Sequence, residues 1–149
     1  MTYKKTKLAA TFTWIASAAT AAIIAVLVFG FIIGFKAMDV QGGEGFGAAV
    51  LFILGLIFGG ATIAIGLALT IPASRLFKKS ATSGNLSTAA YILQTLATAL
   101  YVAFFVIAAI ALMDTGYGYS IVLGVVAILA AVANVAVCVY CWISRKELV

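Results

Sequence analysis

The chain has 149 residues, of which 66% are hydrophobic and 9% are charged. An average soluble domain carries about 25% charged residues, so this chain has too few polar side chains to cover a water-soluble globule. The net charge of +5 does not indicate nucleic-acid binding, because the basic residues lie in short scattered segments without interleaved aromatics. One membrane domain covering residues 1–149 is the expected organisation.

The first apolar segment follows Lys4, Lys5 and Lys7, an arrangement that also begins a secretory signal peptide. Its apolar run, residues 8–35, is much longer than the ~7–15 residues of a signal-peptide hydrophobic region. We therefore expect this segment to be retained as the first membrane span.

Four apolar segments are long enough to cross a bilayer. They cover about residues 8–35, 47–71, 86–112 and 118–142, and each exceeds the ~20 residues that span the hydrocarbon core as a helix. Barrel strands would alternate in polarity and last only ~10 residues. The sequence thus predicts an all-α integral membrane protein with four transmembrane helices in an antiparallel bundle. Pro72, at the end of the second segment, lacks an amide hydrogen and is expected to kink or end that helix.

The distribution of basic residues predicts the orientation in the membrane. Eight of the nine lie before the first span, between the second and third, or after the fourth: Lys4, Lys5, Lys7, Arg75, Lys78, Lys79, Arg145 and Lys146. The other two connections carry Lys36, Asp39, Glu44 and Asp114. Because connections rich in Lys and Arg stay in the cytoplasm, both termini are expected there. The plasma membrane is the expected location.

The two halves of the chain share identities when one is shifted by 75 residues. Thr20 then aligns with Thr95, and Phe29 aligns with Phe104. Two tandem helical hairpins related by duplication would produce such identities, and so would chance, because apolar helices share a limited set of residues. A true duplication would give parallel repeats related by an axis along the membrane normal.

Small residues recur along the spans at spacings of three and four, which is typical of helices that pack closely in lipid. The candidate packing residues are Gly30, Gly34, Gly55, Gly59, Gly66, Gly124, Ala127 and Ala131. Two pairs, Gly30/Gly34 and Gly55/Gly59, match the GxxxG motif. That motif marks either packing within the bundle or a homodimer face.

Four polar side chains are candidates for one layer across the bundle, which we call the predicted layer: Ser17, Thr62, Gln94 and Asn134. Gln94 and Asn134 are the only carboxamides inside the spans, and each lies ~12 Å from the cytoplasmic end of its helix at ~1.5 Å per residue. Such a layer is either interhelical hydrogen bonding that holds the helices together or a polar waist that binds or passes a small solute.

The residues that common membrane chemistries require are scarce. The chain has no histidine, which excludes histidine-ligated haem, histidine-based zinc sites and Ser-His or Cys-His catalysis. No charged residue lies deep within a span, where proton-coupled transporters usually use one. Cys138 and Cys141 form a CxxC motif on the fourth span. We interpret them as small packing residues, with lipidation, inter-chain contact and redox chemistry as alternatives.

The spans are therefore rich in packing signals and poor in chemistry, and no catalytic residue, cofactor or metal ligand is predicted. We expect a non-catalytic membrane subunit or interaction protein that packs against another membrane protein, or itself, within the lipid bilayer. The alternative is a small oligomeric channel or transporter for a small solute or ion, with the predicted layer lining its path. An enzyme would have only the CxxC cysteines as candidates.

Overall fold

A computed structural model describes residues 3–37, 43–114 and 118–147; side chains are described for these residues except 32, 34–37, 43–49, 51–52, 119 and 147. Within the described residues there are four α-helices, α1 (Lys4–Ala37), α2 (Gly43–Ser83), α3 (Thr88–Asp114) and α4 (Gly118–Ser144), and a short 3₁₀ helix (Arg145–Glu147) follows α4. Each long helix contains a segment that is long and apolar enough to cross a membrane. The prediction of four helices of membrane length is confirmed.

Helix α2 does not end at Pro72, so of the two outcomes expected from the sequence, a kink or an end, the end is wrong. The helix continues through Pro72 to Ser83. A proline inside a helix removes one backbone hydrogen bond, and its ring crowds the carbonyl four residues earlier. The burial of Phe77 nevertheless favours continuation of the helix beyond the proline. The helix is closed by Gly84, whose φ of 77° is in the left-handed region and whose amide donates to the Ser80 carbonyl at 2.8 Å.

The four helices form a ring in chain order. Helix α1 contacts α2 and α4, and α3 contacts the same two helices. The start of α1 meets the end of α2 where the Tyr3 amide donates to the Ala81 carbonyl at 3.0 Å. The ring of Tyr91, near the start of α3, lies 4.9 Å from Phe77 and 5.3 Å from Trp142. We call the place where these four helix termini meet the basic end, because its segments carry most of the cations.

The interior contains two apolar clusters, one toward each end of the bundle. The cluster nearer the basic end contains Ala9, Ala10, Ala73, Phe77, Ala90, Tyr91 and Cys141. The buried members of the other are Ile24, Leu27, Val28, Phe31, Ala97, Tyr101, Phe105, Ala109, Leu112, Ala127, Ala130 and Ala131. We call this second group the distal cluster; among the described side chains of α2, those that pack against it are partly buried, such as Ile63 and Leu69.

Burial in α1 and α3 repeats with an offset of 81 residues. Pairs of buried residues at this offset are Ile24/Phe105, Val28/Ala109 and Phe31/Leu112. At the offset of 75 found from sequence identities, buried Thr20 aligns with exposed Thr95. The two offsets differ by six residues, which turns the helix by more than one and a half turns at ~3.6 residues per turn. The sequence identities therefore align residues that occupy different faces of their helices.

Candidate functional site

A set of hydroxyl and amide side chains lies between the two apolar clusters; we call Ser17, Thr20, Thr70, Tyr101 and Asn134 the polar belt. Ser17 Oγ lies 2.8 Å from Thr70 Oγ1 and 2.9 Å from the Tyr101 hydroxyl. All three side chains are buried. Hydrocarbon offers such groups no water to bond with, so these contacts both satisfy them and join α1, α2 and α3.

Asn134 joins the fourth helix to the same belt. Its Nδ2 donates to Thr20 Oγ1 at 3.1 Å and to the Ala130 carbonyl at 2.9 Å. The Thr20 hydroxyl also lies 3.4 Å from Asn134 Oδ1. Through Ser17 and Thr20, α1 is thus hydrogen-bonded to each of the other three helices, and the amide of Asn134 is used in these contacts.

The residues of the predicted layer occupy different settings. Ser17 and Asn134 belong to the polar belt. Gln94 is buried and accepts a 2.8 Å hydrogen bond from Thr98 of its own helix. Thr62 lines an apolar cleft. The structure therefore places two of the four residues in one hydrogen-bonded belt and gives the other two different surroundings.

The remaining belt residues, Thr20, Thr70 and Tyr101, were not assigned to the predicted layer. The predicted layer was defined by the depth of Cα atoms along the helices. The Tyr101 hydroxyl lies at the far end of a long side chain, so the depth of its Cα does not give the depth of the hydroxyl. A sequence signal did exist. Thr20 follows Ser17 by three residues and Tyr101 follows Gln94 by seven, spacings that keep residues on one helix face.

An apolar cleft of about 520 Å³ lies between α2 and α3, with α1 as its floor. Its lining residues are Leu27, Val28, Phe31, Leu54, Gly55, Phe58, Thr62, Leu100, Ala103, Phe104, Ile107, Ala108, Ala111 and Leu112. Thr62 is the only hydroxyl among these side chains, so the cleft suits hydrocarbon and offers no set of ligands to an ion. Phe58 and Ile107 are exposed on its walls, and the cleft opens to the side of the bundle.

The candidate packing glycines of α2 face helices of this same chain. A Cβ added at Gly59 would lie 2.9 Å from Ile24, and one at Gly55 would lie 3.4 Å from Val28, both on α1. A Cβ at Gly66 would overlap the ring and hydroxyl of Tyr101. These three glycines therefore lie at places where another helix of the bundle comes close.

The other candidate packing residues lie on α1 and α4. Gly30 faces Leu123, 3.5 Å from an added Cβ, and Gly124 faces Met113 at 2.8 Å. Ala127 and Ala131 are members of the distal cluster. The contacts of Gly34 lie outside the described residues.

One glycine of α2 faces away from the bundle. A Cβ added at Gly60 would meet no atom within 4 Å. Gly60, Ala64 and Ala68 are all exposed, and residues four apart lie on one helix face. We call these three residues the exposed small stripe. The sequence did not single it out, because Gly60 directly follows Gly59 and only Gly59 completes a GxxxG motif with Gly55.

The two cysteines make weak polar contacts with neighbouring helices. Cys141 is buried, and its Sγ lies 3.5 Å from Thr13 Oγ1. Cys138 is half-buried, and its Sγ lies 3.9 Å from Thr95 Oγ1. Both are free thiols. Across residues 3–37, 43–114 and 118–147, no three His, Cys, Asp or Glu side chains come together in a group suited to a metal ion.

Comparison of the chain with protein-family models, with curated proteins and with solved structures gave no match.

Proposed function

We propose that this protein is a non-catalytic membrane subunit or interaction protein that docks onto another membrane protein, or onto a second copy, through the exposed small stripe. The observation that carries the proposal is the open face at Gly60. Helices associate in lipid through close van der Waals packing rather than hydrophobic burial. A neighbouring helix can approach the backbone at Gly60, where an added Cβ would meet no atom of this protein within 4 Å, and the exposed Ala64 and Ala68 extend the same face.

The hydrogen bonding of the polar belt supports this non-catalytic role. Ser17, Thr20 and Asn134 form hydrogen bonds to other helices of the chain, at 2.8–3.4 Å, and Asn134 also donates to the Ala130 carbonyl of its own helix. Groups used in this way stabilise a bundle, at about 0.6 kcal/mol for an average hydrogen bond inside a membrane protein. The hydrogen bonds of the polar belt accordingly hold the four helices together. Binding of a partner then falls to the outer surface of the bundle.

We further propose an antiparallel bundle in the plasma membrane with both termini in the cytoplasm. The antiparallel order is supported by contacts such as Tyr3 with Ala81 and Thr13 with Cys141, which pair early residues of α1 with late residues of α2 and α4. The orientation is supported by the eight cations at the basic end. Duplication of one hairpin is one explanation of the sequence identities and chance is the other, and the burial offset of 81 does not match the identity offset of 75.

The test is replacement of the small residues on the open face. Gly60→Leu and Ala64→Leu should each reduce recovery of the complex after gentle extraction from native membranes, measured by native mass spectrometry at endogenous expression. Ala133→Leu is the matched control, because Ala133 is an exposed alanine on α4. A complex of unchanged stoichiometry and yield in both α2 variants would contradict the docking role. Gly59→Leu is unsuitable for this test, because it would disturb the contact with Ile24.

The second candidate function is passage of a small solute along the polar belt. It is favoured by the burial of hydroxyl and amide groups from all four helices at the centre of the bundle. Liposomes containing the protein would then show flux, and Asn134→Leu would reduce it. Absence of flux across a broad panel of ions and small solutes would count against this function.

A further inference from the structure

The fold brings three basic segments of the chain together at the basic end. The Tyr3 amide bonds the Ala81 carbonyl, which places the first residues of α1 beside the last turns of α2. The 3₁₀ helix that follows α4 packs on α1 as well as on α4. The start of α1 therefore lies between the end of α2 and the end of α4.

The cations of this end are all exposed and lie mainly on one side of it. They are Lys4, Lys5, Lys7, Arg75, Lys78, Lys79, Arg145 and Lys146. The one acidic residue in these segments is Glu147, and the segment that leads into α3, residues 84–88, carries no charge. The positive surface consequently covers α2, α1 and the end of α4, and leaves the start of α3 neutral.

The beginning of α1 is an unusual place for lysines. The N-terminus of a helix carries a partial positive charge of about +0.5, which favours acidic side chains and disfavours cations. Helix α1 nevertheless starts at Lys4 and Lys5 and has no acidic residue in its first turn. Both the helix terminus and its side chains therefore favour an anion at this position.

We propose that this surface, centred on the start of α1, binds the anionic headgroups of phospholipids in the adjoining leaflet. A phosphate offers oxygens that accept charge-assisted hydrogen bonds from Lys and Arg, and groups of four to eight such residues beside a membrane span are typical of anionic lipid recognition. The proposal is independent of the docking role of α2. It concerns which lipids surround the basic end, not which protein covers the stripe.

The two tryptophans of the chain allow this to be measured in place. Trp14 lies seven residues after Lys7, and Trp142 lies three residues before Arg145. Their side chains are 52% and 40% exposed, so lipids that gather at the basic end come close to both indoles. Brominated acyl chains quench indole fluorescence on contact, and the extent of quenching reports which lipid is nearby.

The experiment uses the full chain in phosphatidylcholine vesicles that contain a fixed fraction of phosphatidylserine, with bromine on one lipid or the other. We expect brominated phosphatidylserine to quench more strongly at equal mole fraction, and this preference to weaken as salt shortens the Debye length. Lys4→Gln, Lys5→Gln and Lys7→Gln together should lower the preference several-fold, with an upper limit of about fivefold per cation. Lys36→Gln, at the other end of α1, is the control.

Two results would overturn the proposal. One is equal quenching by the two brominated lipids at low salt in the unmodified protein. The cations would then set only the orientation in the membrane or bind an acidic protein partner. The other is an equal fall in preference in Lys36→Gln and Lys7→Gln, which would show that overall charge, not the start of α1, attracts the lipid. The salt series on the unmodified protein tests the proposal even if the triple variant fails to fold.

Discussion

Gly66→Ala tests whether the polar belt and the close approach of helices act as one structure. Gly66 is buried beneath Tyr101, and a Cβ added there would overlap both the ring and the hydroxyl of that tyrosine. Tyr101 is only 3% exposed and is held by its 2.9 Å hydrogen bond to Ser17. The added methyl group therefore forces a well-packed aromatic side chain to move.

The expected cost follows from these contacts. Inserting a methyl group into a packed core costs about 1–3 kcal/mol, and loss of the Tyr101–Ser17 hydrogen bond adds about 0.6 kcal/mol. Against this, alanine is favoured over glycine in a helix by up to about 1 kcal/mol. Gly60→Ala measures that last term alone, because no atom lies within 4 Å of its added Cβ. Gly66→Ala should thus be less stable than Gly60→Ala by about 1.5–3.5 kcal/mol.

The assay is reversible unfolding in mixed detergent micelles, followed by circular dichroism. Tyr101→Leu should abolish most of the difference between the two glycine variants, because the ring is gone. Tyr101→Phe should not, because it removes the hydroxyl but keeps the ring. If Gly66→Ala and Gly60→Ala unfold at the same denaturant concentration, the close contact between α2 and α3 described here is wrong.

Three further predictions concern the polar belt, the two cysteines and the connection between α2 and α3. Asn134→Leu and Thr20→Val should show a coupling free energy of about 0.6 kcal/mol, and at most ~1.7 kcal/mol, in a double-mutant cycle of micellar unfolding; additive effects would argue against their hydrogen bond. In intact protein, Cys138 should react with a maleimide faster than buried Cys141, as measured by mass spectrometry on single-cysteine variants, and the reverse order would contradict the burial. Gly84→Ala should lower the unfolding free energy by about 1–2 kcal/mol because of its left-handed backbone, and a neutral effect would show that the connection adopts another conformation.

Much of the architecture was predictable because lipid imposes a simple requirement on sequence. A segment in hydrocarbon must be apolar for ~20 residues and must satisfy its own backbone, so the four helices follow from composition alone. The small-residue spacing on α4 similarly marks positions that are buried, such as Gly124 and Ala127. These features are set within a single helix and need no knowledge of its neighbours.

Features that depend on the relation between helices were harder to predict. The sequence predicted a kink or an end of α2 at Pro72, yet α2 continues to Ser83, and the packing of Phe77 beyond the proline favours that continuation. Thr62 was placed in one layer with Ser17 because the two residues lie at a similar depth along their helices. In the structure, Thr62 lines the apolar cleft, whereas Ser17 belongs to the polar belt. Gly59 and Gly60 are the same residue type, and only the direction of the Cα–Cβ vector distinguishes the one that faces α1 from the one that faces away from the bundle.

The composition of the distal cluster also bears on which part of the bundle opens first. Its buried members lie on α1, α3 and α4, and the described α2 side chains that pack against it are partly buried. The cleft already separates α2 from α3 near Leu54 and Phe58, and within residues 53–62 only Gly59 and Thr62 are buried, so moving this segment outward breaks buried contacts mainly with α1. Regions with few such contacts open at the lowest free energy. Backbone amides of residues 53–62 should therefore exchange with deuterium before those of α4. The interior of the bundle is then first exposed on the side of α2.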